Sequence, residues 1–305
     1  MTDQFFPSVE ETTRALDGAD YLAEPELAIA VFLAGSLGRP LLLEGPAGVG
    51  KTELAKAVSR ASRRPLVRLQ CYEGLDESRA LYEWEYGKQL LYIQLLKDAL
   101  GNKLEAVTSL SQAAGLIEQE ETAFFHPRFL LRRPLFEAIA SEDPVVLLID
   151  EVDRSDPEFE ALLLELLSDF QVTVPELGTF RATTRPFVVL TSNGTRELTD
   201  ALRRRCLFTA LDYPDPAREE AIVRRHVPNA PARLAKELVA LVQAVRDLPL
   251  RRVPSIAESV DWLRALILLG RDDLDPESAT SALAALIKDA DDRELVRALI
   301  ERSEP

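Results

Sequence analysis

Cysteine and histidine are scarce in this 305-residue sequence: Cys71, Cys206, His126 and His226 are the full complement. No Cys/His constellation has the spacing of a zinc site and no disulfide framework can be drawn, so two reduced, buried thiols and no structural zinc are expected. No apolar run reaches the length of a membrane span. The opening MTDQFFPSVEETTRALDG is acidic and lacks the basic start and apolar stretch of a signal peptide, so the cytoplasm is the expected compartment. Positive charge is the minority sign, with 36 Lys and Arg against 51 Asp and Glu, a formal net charge of -15. That balance repels a phosphate backbone and disfavours a broad nucleic-acid face, leaving open a local basic pore. Fixed-period repeats and low-complexity tracts are absent as well. What is present is a hydrophobic fraction of 47%, enough for a sizeable core in one large domain or two.

The chain reads as alternating strands and helices before turning wholly helical. PELAIAVFLAGSL has helical spacing and stops at Gly38-Arg39-Pro40; LLLEG is then a short buried strand entering a glycine turn. A helix from Lys51 to about Ser62 follows, and LVRLQCY is a second strand. Residues 73–127 read as an insertion, mostly helical, with breaks at Gly87 and Gly101-Asn102. RRPLFEAIA is a short helix. PVVLLIDE has the continuous apolar run of a strand buried on both faces of a parallel sheet. FEALLLELLSDF is an amphipathic helix. Residues 171–185 alternate about a Pro-Glu-Leu-Gly turn and read as a hairpin, and FVVLTSN and CLFTALDYP supply further strands. Two domains are expected, residues 1–213 (α/β) and 214–305 (helical), with the boundary near Asp212 to Pro216.

Four segments carry chemistry. Gly45-Pro46-Ala47-Gly48-Val49-Gly50-Lys51-Thr52 fits G-x-x-x-x-G-K-[ST], in which backbone N–H groups and the following helix N-terminus cradle phosphates. Lys51 is placed to reach the β- and γ-phosphates and Thr52 to ligate magnesium, with Glu53 next in the binding set. In VVLLIDE, Asp150 is the second magnesium residue and Glu151 the group that polarises an attacking water. The absence of any N-K-x-D segment argues against a guanine nucleotide, so ATP is the expected ligand. Asn193, at the end of FVVLTSN, has two readings: it orients the lytic water, or it caps Gly194-Thr195. In ALRRRC, Arg203, Arg204 and Arg205 crowd a helix end, where cations either stabilise the helix C-terminus or supply a guanidinium to a transferring phosphoryl group in a neighbouring subunit.

Taken in order, LLLEGPAGVGKTELAKAV, IDEVDRSDPEFEALLLELLSDFQVTV, the extra hairpin, LTSN and ALRRRC resemble an AAA+ module of the MoxR family over nearly the whole chain. LYEWEYGKQLL, FLLRRPLFEAI and VPSIAESVDWLRAL are most similar to the CoxD-like accessory ATPases of carbon monoxide dehydrogenase. The resemblance implies a P-loop αβα sandwich with a parallel sheet and a C-terminal helical lid, and a homo-oligomeric ring, expected to be a hexamer, with ATP between protomers. Arg205 falls at the position of the arginine finger, with Arg204 as a second candidate. It also implies a von Willebrand A domain partner and a client metalloenzyme of the molybdenum hydroxylase type, matured or activated by a chaperone-like cycle. One position departs from the family: where a lid arginine is expected, the chain reads Ser255-Ile256-Ala257-Glu258, and Arg251 or Arg252 is the candidate substitute. Outside the motifs, Tyr82, Trp84, Tyr86 and Tyr92 read as core packing or as a client surface. Arg128, Arg132 and Arg133 read as a subunit contact or a solvated face. The competing functional classes are a motor or loader on nucleic acid and a nucleotide-gated scaffold with little turnover.

Overall fold

Nine strands organise the computed structural model, which describes residues 5–92, 94 and 126–302. They are β1 (Leu41–Glu44), β2 (Leu66–Gln70), β3 (Tyr82–Trp84), β4 (Leu130–Arg132), β5 (Val146–Asp150), β6 (Gln171–Val174), β7 (Gly178–Arg181), β8 (Phe187–Ser192) and β9 (Leu207–Ala210). Five of them form one sheet in the order β2-β5-β8-β1-β9, every neighbouring pair parallel. The apolar runs explain the layering. Along β1 and β5, Leu41, Leu43, Val146 and Leu148 point to one face, where they meet helices Val9–Gly18, Pro25–Leu37 and Lys51–Ser62. Their alternates Leu42, Leu147 and Ile149 point to the other and pack against helices Pro134–Ala140 and Pro157–Asp169. No residue of β5 or β8 is exposed, as a strand covered on both sides requires.

Turn chemistry sets the helix ends. Pro25 opens its helix with a fixed φ and no N–H to satisfy, and Gly38, at φ 62°, closes it in the left-handed region. The hairpin forms where alternation places it, β6 against β7, with Val172 and Val174 buried and Thr173 and Thr179 outside.

Part of the insertion differs from expectation. Instead of helices throughout, Tyr82–Trp84 pairs antiparallel with Leu130–Arg132, a ribbon built from aromatic and leucine residues suited to a pleated surface. Gly87 does not break the chain: it lies inside a helical stretch, residues 86–92. The expected break at Gly101-Asn102 lies outside the described residues. Of the aromatic run, Trp84 is buried in the core, Tyr82 meets Phe136 edge-on and Tyr92 packs on Phe129, while Tyr86 is exposed. The basic group stays at the surface but makes contacts within the same subunit: Arg133 pairs with Glu83 at 2.6 Å, and the exposed Arg128 and Arg132 lie over the rings of Tyr92 and Phe136.

From Pro216 onward every described element is a helix, and buried residues from Val223 to Ile300, Trp262 among them, form a cluster of their own. Within it Glu219, with no exposed surface, takes two hydrogen bonds from Arg246 at 2.6 and 2.7 Å and others from Ser259 and Gln243. Both cysteines are free and buried, and burial pushes each thiol up to about 12. Among the described residues no helix is long and apolar enough to cross a membrane.

Removing one partner of a buried pair strands the other charge. Glu219→Ala is therefore expected to destabilise the helical segment by about 3–5 kcal/mol. Replacing both residues (Glu219→Leu with Arg246→Met) should recover much of that loss in urea unfolding. A double variant less stable than either single would show that the pair itself, not an uncompensated charge, supplies the stability.

Candidate active site

The carboxyl ends of β1, β5 and β8 come out on one edge of the sheet, carrying Glu44, Asp150 and Ser192 followed by Asn193. This is where a parallel sheet places a ligand crevice. Between β1 and its helix, residues 45–50 make a tight loop whose glycines are needed for space and for conformation. A Cβ on Gly45 would lie 1.9 Å from the Leu211 carbonyl oxygen; one on Gly48 would lie 2.1 Å from the Ser255 Cβ. Gly48 and Gly50 have φ of 81° and 100°, where side chains are strained. The loop ends at the N-terminus of helix Lys51–Ser62, with its free N–H groups and positive dipole end.

Lys51 is buried beneath the loop, its ammonium donating to the carbonyls of Gly45 (2.6 Å) and Pro46 (2.7 Å) and to Asn193 Oδ1 (2.9 Å). Burial lowers its pKa, and the neighbouring charges of Asp153, Asp150 and Glu151 pull the other way. The buried Asp150 accepts from Thr191 Oγ1 at 2.5 Å on Oδ1 and from Arg68 at 2.6 Å on Oδ2, with Thr52 Oγ1 placed between the two at 3.0 and 3.3 Å. Thr191 Oγ1 in turn accepts from the Glu151 N–H at 2.8 Å, fixing the start of a left-handed backbone at Glu151 (φ 55°). The Glu151 carboxylate lies 3.1 Å from Arg154. Asp153 anchors the neighbouring loop by accepting from the N–H groups of Asn193 and Thr195 and from the Thr195 hydroxyl. Burial alone would raise the Asp153 pKa; these hydrogen bonds outweigh it and leave the pKa lowered.

Thus Lys51, Thr52, Asp150, Glu151 and Asn193, far apart in sequence, converge in one place. The Asn193 side chain accepts from Lys51, and its backbone N–H donates to Asp153 in the turn before Gly194. Thr52 Oγ1 and Asp150 offer hard oxygens 3.0 Å apart beside a cradle that a Cβ would fill. The set fits magnesium, which takes one or two protein oxygens and completes its shell with phosphate and water. Among the described residues no group of three or more His, Cys, Asp or Glu is arranged to hold a metal without such help.

A cavity of about 470 Å³ runs outward from the loop, past Glu53, between Tyr21 and Leu22 on one side and Ile256 and Val260 on the other. Arg204 and Arg205 are exposed and do not line it. Arg203 instead pairs internally with Glu44 at 2.9 Å. The proposed lid substitutes are corrected by the structure: neither Arg251 nor Arg252 lines the cavity, and Arg251 is turned to Asp291 at 2.7 Å. The lid arginines that do line it are Arg218, Arg225 and Arg264. Sequence reasoning missed Arg264, although it stands seven residues after Ala257 and so on the same face of one helix. It also missed Thr191, Tyr213, whose hydroxyl donates to the Ala47 carbonyl at 3.0 Å, and Arg68. For Arg68 the available signal was a charged residue alternating with apolar ones in LVRLQ.

The Gly48 contact is directly testable. Gly48→Ala should weaken ADP binding by at least about tenfold, since it combines left-handed strain of about 1–2 kcal/mol with a clash against Ser255. Adding Ser255→Gly removes the clash but not the strain, so titration calorimetry should show partial recovery. A double variant binding no better than the single would rule out the steric contribution.

Comparison with known proteins gives the family. Residues 40–225, more than half of the chain, match the profile of the AAA domain of the dynein-related subfamily. Gas vesicle ATPase GvpN2 of Halobacterium salinarum is 27% identical over 284 residues, covering 88% of this chain and 74% of that protein. Gas vesicle ATPase GvpN of Haloferax mediterranei is 26% identical over 223 residues, covering 69% of this chain and 57% of its own length. Among solved structures, the RuvB Holliday junction branch migration motor of Thermotoga maritima covers 93% of this chain, and this chain 70% of it, at 15% identity and a TM-score of 0.47. On the extent of the profile match, the chain belongs to the AAA domain family, dynein-related subfamily, a family of ATPases.

Proposed function

We propose that this AAA-family ATPase binds ATP with magnesium on residues 45–52 and Glu53 and hydrolyses it between protomers of a MoxR-type ring, with six protomers expected. The observation that carries the reading is the convergence of Lys51, Thr52, Asp150, Glu151 and Asn193 at one sheet edge. Lys51 exchanges the Gly45 and Pro46 carbonyls for the β- and γ-phosphates. Thr52 and Asp150 would hold magnesium, whose charge would neutralise the phosphate oxygens. Glu151 accepts a proton from the attacking water, which Asn193 orients, as the bond between the γ-phosphorus and its bridging oxygen breaks to give ADP and phosphate. Arg205, exposed at a helix end, is suited to reach a neighbour's phosphates, with Arg204 beside it.

The C-terminal helices from residue 214 act as a lid on this reading, supported by the contacts that Ser255 and Ile256 make with the loop. Their movement, with the hairpin of residues 171–185, would transmit work to a partner. The two relatives described above are named gas vesicle ATPases. The segments LYEWEYGKQLL and VPSIAESVDWLRAL support a client metalloenzyme of the molybdenum hydroxylase type, reached together with a von Willebrand A domain protein in the cytoplasm. The net charge of -15 argues for a protein rather than a nucleic-acid client.

Steady-state ATP hydrolysis across a dilution series, with mass measured in parallel, tests the catalytic core. Glu151→Gln should retain ATP binding and lose at least about 10²-fold in turnover. Arg205→Ala should lose about 10³-fold or more and recover on mixing with Glu151→Gln subunits, because each mixture contains sites with both groups intact. Full turnover by Glu151→Gln would remove it as the base. A monomer equally active at every dilution would remove the ring and the shared site.

A further inference from the structure

Arg68 sits on β2, the edge strand, two residues before Gln70, which pairs with Asp150 in the β2–β5 register. Its guanidinium donates to Asp150 Oδ2 at 2.6 Å and to Gln70 Oε1 at 2.7 Å. The two partners differ in environment: the Arg68 side chain is 46% exposed, that of Asp150 only 4%. This is therefore not an ordinary surface pair, which contributes little. Asp150 lies beside two further carboxylates, Glu151 and Asp153, and a buried carboxylate there needs a counter-charge. Lys51 does not supply it by contact, since its ammonium is turned to Gly45, Pro46 and Asn193. Among the described residues Arg68 is the ion-pair partner of Asp150.

We propose that Arg68 is a stand-in cation that competes with the divalent metal for Asp150. The inference rests on the reading that Asp150 is a metal carboxylate. Thr191 holds Oδ1 at 2.5 Å, whereas Oδ2 is held closely by Arg68 at 2.6 Å and loosely by Thr52 at 3.3 Å, so the oxygen that a metal beside Thr52 would share is the one Arg68 holds. A guanidinium and a divalent cation on the same carboxylate repel, so Arg68 must leave Oδ2 before Asp150 can take up a metal. Its exposed stem and its second bond to Gln70 give it a place to go. Arg68 thereby sets the metal concentration at which the site loads, and it keeps Asp150 charge-balanced when no nucleotide is bound.

The test is manganese binding to the full-length chain with saturating ADP, followed by electron paramagnetic resonance so that no turnover is involved. Wild type is compared with Arg68→Ala, Arg68→Lys and Asp150→Asn. Arg68→Ala should lower the half-saturating manganese concentration by roughly tenfold. Arg68→Lys, which keeps the charge and guards against a folding defect in the alanine variant, should stay near wild type. Asp150→Asn should raise the concentration. ADP binding in excess chelator should change by less than about twofold in the Arg68 variants. If Arg68→Ala leaves manganese binding unchanged or weakens it while Asp150→Asn still weakens it, the competition is wrong and the metal assignment survives. If Asp150→Asn has no effect, the metal assignment itself fails and the inference with it.

Discussion

The carboxylate of Asp150 ends a strand that has no exposed residue, and a charge in that position is tolerated only because every neighbour is placed to receive it. Thr52 brings the phosphate loop to it, Thr191 brings β8, and Arg68 brings the edge strand β2. One buried group thus ties together three strands and a helix that are remote in sequence. Because Thr191 uses the same hydroxyl to hold the Glu151 N–H, the position of the proposed base follows from that of the proposed metal residue. A shift of either strand would move both groups together, which keeps their relative geometry insensitive to small motions of the sheet.

The helical segment meets the same loop without the arginine that the family pattern leads one to expect near Ser255. Ile256 donates its N–H to the Gly48 carbonyl at 3.3 Å, Ser255 packs where a Gly48 side chain would be, and Tyr213 donates to the Ala47 carbonyl. Arg246, already committed to Glu219, lies over the Tyr213 ring at 4.3 Å. Loop carbonyls, phenol, guanidinium and buried carboxylate therefore form an unbroken series from the phosphate site into the helical core. Communication between loop and lid can run through main-chain contacts and this series, and it does not require a side chain on the nucleotide itself.

Most of the architecture and much of the site were legible in the sequence, because both are written in local pattern. A glycine-rich turn between an apolar strand and a helix, and an apolar run ending in two acids, have few other structural meanings, and each lies where its pattern placed it. What was not legible depends on long-range pairing. The ribbon joining Tyr82–Trp84 to Leu130–Arg132 spans a separation at which neither short segment reveals its partner. Gly87 looked like a break because glycine disfavours helix, but in the first turn of residues 86–92 the penalty is small beside the surrounding packing. Arg251 and Arg252 were close enough in sequence to replace a lid arginine. Asp292, forty residues on, takes both of their backbone N–H groups and orients that turn away from the cavity.

The three consecutive arginines show how the structure separates roles that the sequence leaves merged. A helix end attracts cations, and on that ground alone all three could be stabilising residues. Here the helix C-terminus is met from outside, by Arg39, which donates to the carbonyls of Arg204, Arg205 and Cys206 at 2.6, 3.2 and 3.3 Å. Arg203 is occupied with Glu44 and lies over Phe208. The two remaining guanidinium groups are not needed for either task, yet they are held on a rigid helix end and exposed. Among the described residues neither Arg204 nor Arg205 has an ion-pair partner, and an exposed cation of that kind is what the shared site proposed above requires.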